Sequence, residues 1–138
     1  MVSPVTSYFR LPVIPTVLGF DPRLQFIHPA DGREALVAAI KNPVRGAVNV
    51  AAPGTIGLTR MIRLAGKRAL PIAAPLFGAV TSTGQRLGLD TQSDDFQRLL
   101  RYGRGVDTRR LTDEVGYTPR HSTLDAVEDW AQHAKAAA

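Results

Sequence analysis

The sequence has no cysteine, which excludes a disulfide framework, a thiol nucleophile and a cysteine-ligated metal site. It has no apolar run near the roughly 18 residues needed to span a membrane, so no membrane partner is expected. Its start, MVSPVTSYFRLPVIPTVLGF, lacks a basic n-region, and Pro12 and Pro15 interrupt the apolar part, unlike a secretory signal. With no cysteine, this predicts a cytoplasmic chain. Lysine is scarce. Lys41, Lys67 and Lys135 are the only three among seventeen basic residues, so fourteen are arginine, against twelve acids and a net charge of +5. The arginines are spread from Arg10 to Arg120 with no tract of five bases. That dispersal reads as a solvated surface rather than a nucleic-acid-binding face.

Phosphate-loop spacings are missing too. Gly54-Thr55-Ile56-Gly57 and Gly103-Arg104-Gly105 fit neither G-x-G-x-x-G nor G-x-x-x-x-G-K-[ST]. The first reads as a tight turn into a helix, with anion binding by its N–H groups as the competing reading. No G-x-S-x-G elbow occurs. His28, His121 and His133 show no metal-ligand spacing, and His133 reads as a solvated helix residue.

What is present is a globular composition over 138 residues, 44% hydrophobic and 21% charged. The pattern predicts an α/β fold, with short strands alternating with helices in the first half and a mainly helical second half. Residues 1–23 hold Pro4, Pro12, Pro15 and Pro22 and read as an extended arm, with a short edge strand or irregular stretch at Val13–Leu18. Residues 24–135 read as one compact unit, and 136–138 as a frayed tail.

Within that unit, Leu24–His28 predicts a strand running into a helix opened by Pro29 and Asp31. Leu36, Ala39 and Ile40 lie at helical spacing, and Asn42-Pro43 stops the helix. Ala47–Val50 predicts a second strand. Leu58, Met61, Ile62 and Ala65 form an i, i+3, i+4, i+7 stripe stopped by Gly66. Ala69–Ala73 predicts a third strand, residues 75–89 a weak helix, and Ser93 a cap for a helix ending at Gly103. Leu111 and Val115 mark a helix capped by Asp107 or Thr108 and closed by Gly116. Ser122 and Asp125 make a capping-box-like start to a last helix, with Leu124, Val127, Trp130, Ala131 and Ala134 facing inward.

The candidate site surrounds the first strand-to-helix turn, where α/β proteins place ligands. His28 either touches a ligand there or caps the turn, with Asp31 holding the helix terminus. Gln25 and Phe26 lie on the same strand, and Phe26 reads equally as core. Asn49 is expected to order the Ala51–Thr55 loop.

Three segments carry a resemblance. Leu24-Gln25-Phe26-Ile27-His28-Pro29-Ala30-Asp31 resembles the Q-F-[IV]-H-V-x-D segment of the extended short-chain dehydrogenases/reductases, the NAD-dependent epimerase/dehydratase proteins. Gly46-Ala47-Val48-Asn49-Val50-Ala51 and Pro53-Gly54-Thr55 resemble that family's G-x-Y-N-V-x-G-x-G unit. Val106-Asp107-Thr108-Arg109-Arg110-Leu111 and Gly116-Tyr117-Thr118-Pro119-Arg120 resemble its D-x-S-K-A-x-x-x-L-G-[WY]-x-P ending. The likeness spans roughly residues 11–130. It implies the C-terminal, substrate-binding part of such a protein, without the Rossmann domain. The family's Tyr-x-x-x-Lys pair is missing, since Tyr8, Tyr102 and Tyr117 are followed four residues later by Pro12, Val106 and His121. This chain departs from many sugar-nucleotide epimerases in reading Leu24-Gln25-Phe26 for Arg-Asp-Tyr, with Arg23 one position earlier. It also has no Arg-Pro-Gly-Asp segment.

The resemblance implies that NAD or NADP serves the parent enzyme and that this chain alone holds neither cofactor nor catalytic residues. It implies a nucleotide-sugar-like ligand contacted by Arg23, Gln25, Phe26, His28, Asp31 and Arg104, with Arg23 or Arg104 on a phosphate. The partner it implies is the missing Rossmann half or a second copy of the chain. The competing expectation is a stand-alone basic binding or oligomerisation module.

Overall fold

Short strands and helices alternate along the chain, an α/β arrangement. The computed structural model describes residues 8–73, 76, 98–99 and 102–136. Among them the order is β1 (Val13–Val17), β2 (Arg23–Leu24), α1 (Pro29–Lys41), β3 (Ile56–Gly57), α2 (Leu58–Leu64), β4 (Arg68–Ile72), α3 (Arg109–Asp113) and α4 (Thr123–Ala136). The chain divides into two compact units. The first takes Met1–Arg23 and Gly57–Arg104, and the second Leu24–Ile56 and Gly105–Ala137. This corrects the expectation of a separate arm followed by one unit over 24–135.

In the first unit β1 pairs with β4 in parallel, Val13 opposite Arg68 and Val17 opposite Ile72. Of the two readings of Val13–Leu18, the short edge strand is the one that forms, as β1. Pro15 and Pro71 lie on these two strands, which have no further partner among the described residues, so a missing N–H is tolerated. Ile14 on β1 is fully buried, as are Leu58 and Ile62 on α2. The Tyr8 hydroxyl donates to the Pro15 carbonyl, and burial pushes the Tyr8 phenol up.

The expected stripe of α2 is buried at Leu58, Met61 and Ile62. Gly57 offers no side-chain cap, so Asp21 supplies one from outside the helix, its Oδ1 accepting from the Thr59 N–H at 2.8 Å. The C-terminus closes as a Schellman motif. Lys67 N–H donates to Ile62 C=O and Gly66 N–H to Arg63 C=O, both at 3.0 Å, with Gly66 at φ +72°. The helix expected at 75–89, and the start of the one expected before Gly103, lie outside the described residues. At its expected stop, Gly103 N–H donates to Leu99 C=O at 2.8 Å.

In the second unit α1 spans the expected residues, but of the expected stripe Leu36, Ala39 and Ile40 only Ala39 packs against the core. Leu36, Val37 and Ile40 are 63%, 50% and 80% exposed, while Asp31 and Ala35 are buried. Ala35 joins Leu111 and Val115 in a small core, with Ala38, Ala39, Val44, Val48 and Tyr117 packed against it. The inward stripe of α1 is thus made of small residues that let the helix approach closely. On α4, Ala126, Val127 and Ala131 are buried, whereas Ala134 is exposed, contrary to expectation.

The expected strands are shorter or missing. Only Arg23–Leu24 of the 23–28 stretch is in a ladder, with β3 as its partner. Ala47–Val50 forms no strand, because no strand lies beside it among the described residues. Arg110 holds this stretch instead. Its guanidinium donates to the carbonyls of Ala47 (2.6 Å) and Arg45 (2.9 Å) while gripping Glu114. Asn49 orders Asp107 rather than the Ala51–Thr55 loop, donating to the Asp107 carbonyl at 3.0 Å.

Two glycines with positive φ separate conformational strain from crowding. Gly54 (φ +80°) has open space around a would-be Cβ, whereas at Gly103 (φ +70°) a Cβ would overlap the Arg23 backbone. Gly54→Ala is expected to cost about 1 kcal/mol from backbone strain alone. Gly103→Ala should cost at least twice as much (roughly 2 kcal/mol) because a backbone must also shift. Urea unfolding of the two variants measures this, and equal losses would refute the crowding argument.

Candidate functional site

His28 has extended backbone and is the N-cap of α1, its Nδ1 accepting from the Ala30 N–H at 3.2 Å. Three residues on, Asp31 projects from the first turn and is 1% exposed. Its oxygens do not serve its own helix. Oδ2 accepts from the His121 N–H and faces His121 Nδ1, both at 2.9 Å. Oδ1 accepts from the Tyr117 hydroxyl at 2.8 Å and the Arg120 N–H at 3.1 Å. Burial alone would raise this carboxyl. The His121 N–H, the Tyr117 hydroxyl, the Arg120 N–H and the His121 ring outweigh burial and hold it well below the usual carboxylate range. The Tyr117 phenol is pushed up to about 12, first by burial and then by its bond to Asp31.

The rings of His28 and His121 stack, centroids 4.1 Å apart and planes 25° from parallel. His28 Nε2 faces Asp129 of α4 at 3.4 Å. Glu34, three residues after Asp31 on α1, pairs with Arg120 at 3.1 Å. Two stacked imidazoles, His28 and His121, therefore lie between the carboxylates of Asp129 and Asp31 at the start of α1. Local sequence spacing could not reveal this cluster, since its bonds join positions 90 apart.

A second knot lies beside it. Buried Thr123 donates its N–H to Pro53 C=O and its hydroxyl to Gly54 C=O, both at 2.9 Å. The Pro53-Gly54 turn thus presents carbonyls to α4. Ser122 and Asp125 form the expected capping box. Ser122 N–H donates to the Asp125 carboxylate at 2.7 Å, and Asp125 N–H donates to Ser122 Oγ at 3.1 Å. The Ser122 N–H, then its hydroxyl, lower the Asp125 carboxyl.

Of the expected site residues, His28 and Asp31 are brought together and organise the turn. Gln25 has both ends of its amide engaged, donating to Ala52 C=O and accepting from Val106 N–H, each at 2.8 Å. Phe26 is half-buried, and its carbonyl accepts from the Ala52 N–H at 2.8 Å. Arg23 and Arg104 belong to the first unit. Both are exposed, and Arg104 N–H donates to Arg23 C=O at 2.8 Å. His133 is solvent-facing, as expected. Among the described residues no three His, Asp or Glu side chains are grouped as metal ligands, and no helix is long and apolar enough to cross a membrane.

The chain is similar to longer mycobacterial proteins. An uncharacterized protein of Mycobacterium tuberculosis and one of Mycobacterium bovis are each 34% identical over 132 residues, covering 94% of this chain and 35% of their own length. A second uncharacterized protein of M. tuberculosis is 30% identical over 129 residues, covering 91% of this chain and 14% of its own length. The chain therefore spans about a third, or about a seventh, of the curated relatives it matches. No family model and no solved structure matches it.

Asp31→Asn should lower stability at pH 7 by about 2 kcal/mol, as charge-assisted bonds are weakened. The wild-type contribution is present above the unfolded carboxyl's pKa near 4 and is lost as pH falls toward the depressed folded value. The gap between the wild-type and Asp31→Asn unfolding midpoints should therefore narrow as pH is taken from 5 to 2. A gap that stays constant would contradict the assignment.

Proposed function

We propose that this chain is the substrate-binding C-terminal portion of an NAD-dependent epimerase/dehydratase-like protein acting on a nucleotide sugar, and that it is not catalytic by itself. The observation that carries this reading is the convergence of the three motif-bearing segments. Residues 24–31, 46–55 and 106–130 all fall in one unit, where Asp31 and Thr123 bond them to one another. The length of the relatives supports it, since their additional two thirds leaves room for a dinucleotide-binding half. The exposed Leu36, Val37 and Ile40 of α1 supply an apolar face for that half. His28 and Asp31 then hold the turn that shapes the ligand pocket. Within the first unit, Arg23 and Arg104 are exposed on bonded backbones, and one or the other is the guanidinium donor proposed for a phosphate. NAD or NADP then belongs to the parent protein's remaining length.

Calorimetric titration of the 138-residue chain tests this. No saturable NAD binding is expected, and either Arg23→Ala or Arg104→Ala should weaken nucleotide-sugar binding about tenfold. Tight NAD binding by the chain alone, or nucleotide-sugar affinity indifferent to both arginines, would sink the proposal.

The same α1 face favours self-association as a second reading. If a second copy covers it, sedimentation should show a concentration-dependent dimer that Ile40→Lys abolishes. A monomer throughout the series contradicts that alternative.

A further inference from the structure

Folding sorts the arginines that the sequence disperses. The first unit, Met1–Arg23 with Gly57–Arg104, holds ten basic residues against four acids, a net +6, while the second holds seven against eight. The ion pairs are sorted in the same way. Among the described residues every ion pair joins members of the second unit. The described arginines of the first unit, all exposed, take part in none. A unit with this excess of one sign attracts polyanions.

Three of these arginines gather where the parallel strands end. Leu18 N–H donates to Ile72 C=O at 2.8 Å, which carries the β1–β4 pairing to the carboxyl ends of both strands. Just beyond β1, Asp21 Oδ1 accepts from the Thr59 N–H at 2.8 Å and Pro22 C=O from the Leu58 N–H at 3.0 Å. These bonds set the first turn of α2, with Arg60, beside the 20–23 segment. Arg104 N–H donates to Arg23 C=O at 2.8 Å, and a Cβ on Gly103 would overlap the Arg23 backbone. Tyr102 and Arg104 are thereby held at the same segment. Two large rings are left in the open here, Phe20 at 48% and Tyr102 at 71% exposed. Asp21 is the only acid among the described residues of this unit, and the Thr59 N–H engages it. Rings and guanidiniums far apart in sequence are thus interleaved by the fold.

We propose that this surface of the first unit binds single-stranded nucleic acid, with phosphates on Arg23, Arg60 and Arg104 and unpaired bases stacked on Phe20 and Tyr102. A guanidinium matches phosphate oxygens with paired donors. An open aromatic ring accepts the face of any base that is free of a duplex. A duplex keeps its bases stacked inside, and an anionic lipid surface offers phosphates without bases, so the two rings favour the single strand. The proposal goes beyond the nucleotide-sugar reading, in which Phe20, Arg60 and Tyr102 take no part.

Fluorescence anisotropy of the full chain with a labelled oligothymidylate dodecamer tests it. Log affinity should fall against log salt with a slope of about −2, since roughly 0.7 is lost for each of three phosphates on a single strand. Arg60→Ala should make that slope shallower by about 0.7. Tyr102→Ala should weaken binding about tenfold at an unchanged slope, and Tyr102→Phe, which keeps the ring, should bind like the wild type. Arg33→Ala, at an exposed position of the second unit, should alter neither affinity nor slope. All four side chains are exposed, so each variant should keep the wild-type urea midpoint. No binding at about 50 mM salt, tighter binding of the matching duplex, capture by phosphatidylserine vesicles in preference to the strand, or a Tyr102→Ala chain that binds as tightly as the wild type would overturn the proposal.

Discussion

One buried carboxylate organises the second unit. Asp31 accepts two backbone N–H groups and a phenol and faces an imidazole, all from residues 117–121. An ionised carboxyl withdrawn from water is costly unless its lone pairs are engaged. Here the compensation comes wholly from a segment distant in sequence. The same bonds therefore satisfy a charge and close the fold. Thr123 repeats the logic with a neutral group, tying the first turn of α4 to the carbonyls of Pro53 and Gly54. One apolar cluster of this unit is centred on Ala35, Leu111 and Val115, and Leu24, Ile56 and Val127 are buried as well.

Placing small residues inward has a counterpart on the outside. Because α1 packs through Ala35, Ala38 and Ala39, its bulky side chains Leu36, Val37 and Ile40 face outward. The Ala47–Val50 stretch has no strand beside it among the described residues.

Legibility in the sequence followed the range of the interaction. The α2 stripe and its Gly66 stop, and the Ser122–Asp125 capping box, depend on residues within a few positions and could be read directly. The span of α1 was also readable from Pro29, Asp31 and Asn42. Its buried face was not, because periodicity favours the large residues Leu36 and Ile40, and the packing of alanines overrode it. A strand at Ala47–Val50 was expected from β-branched composition, but a strand exists only with a partner, which composition does not encode. Of the site, His28 and Asp31 stood out through their position at a turn. His121, Tyr117, Arg120 and Asp129 carried no local signal, because their roles depend on contacts some 90 residues away.

The interleaving of the two units has a consequence for synthesis. When a ribosome makes this chain, Asp31 emerges long before Tyr117, Arg120 and His121, with the whole of Gly57–Arg104 in between. Until then its carboxylate stays hydrated and α1 lacks the core residues Leu111 and Val115. The second unit can therefore close only after α3 and the start of α4 have left the exit tunnel. Its closure also bears the entropy of a long loop, which slows folding far more than it lowers final stability.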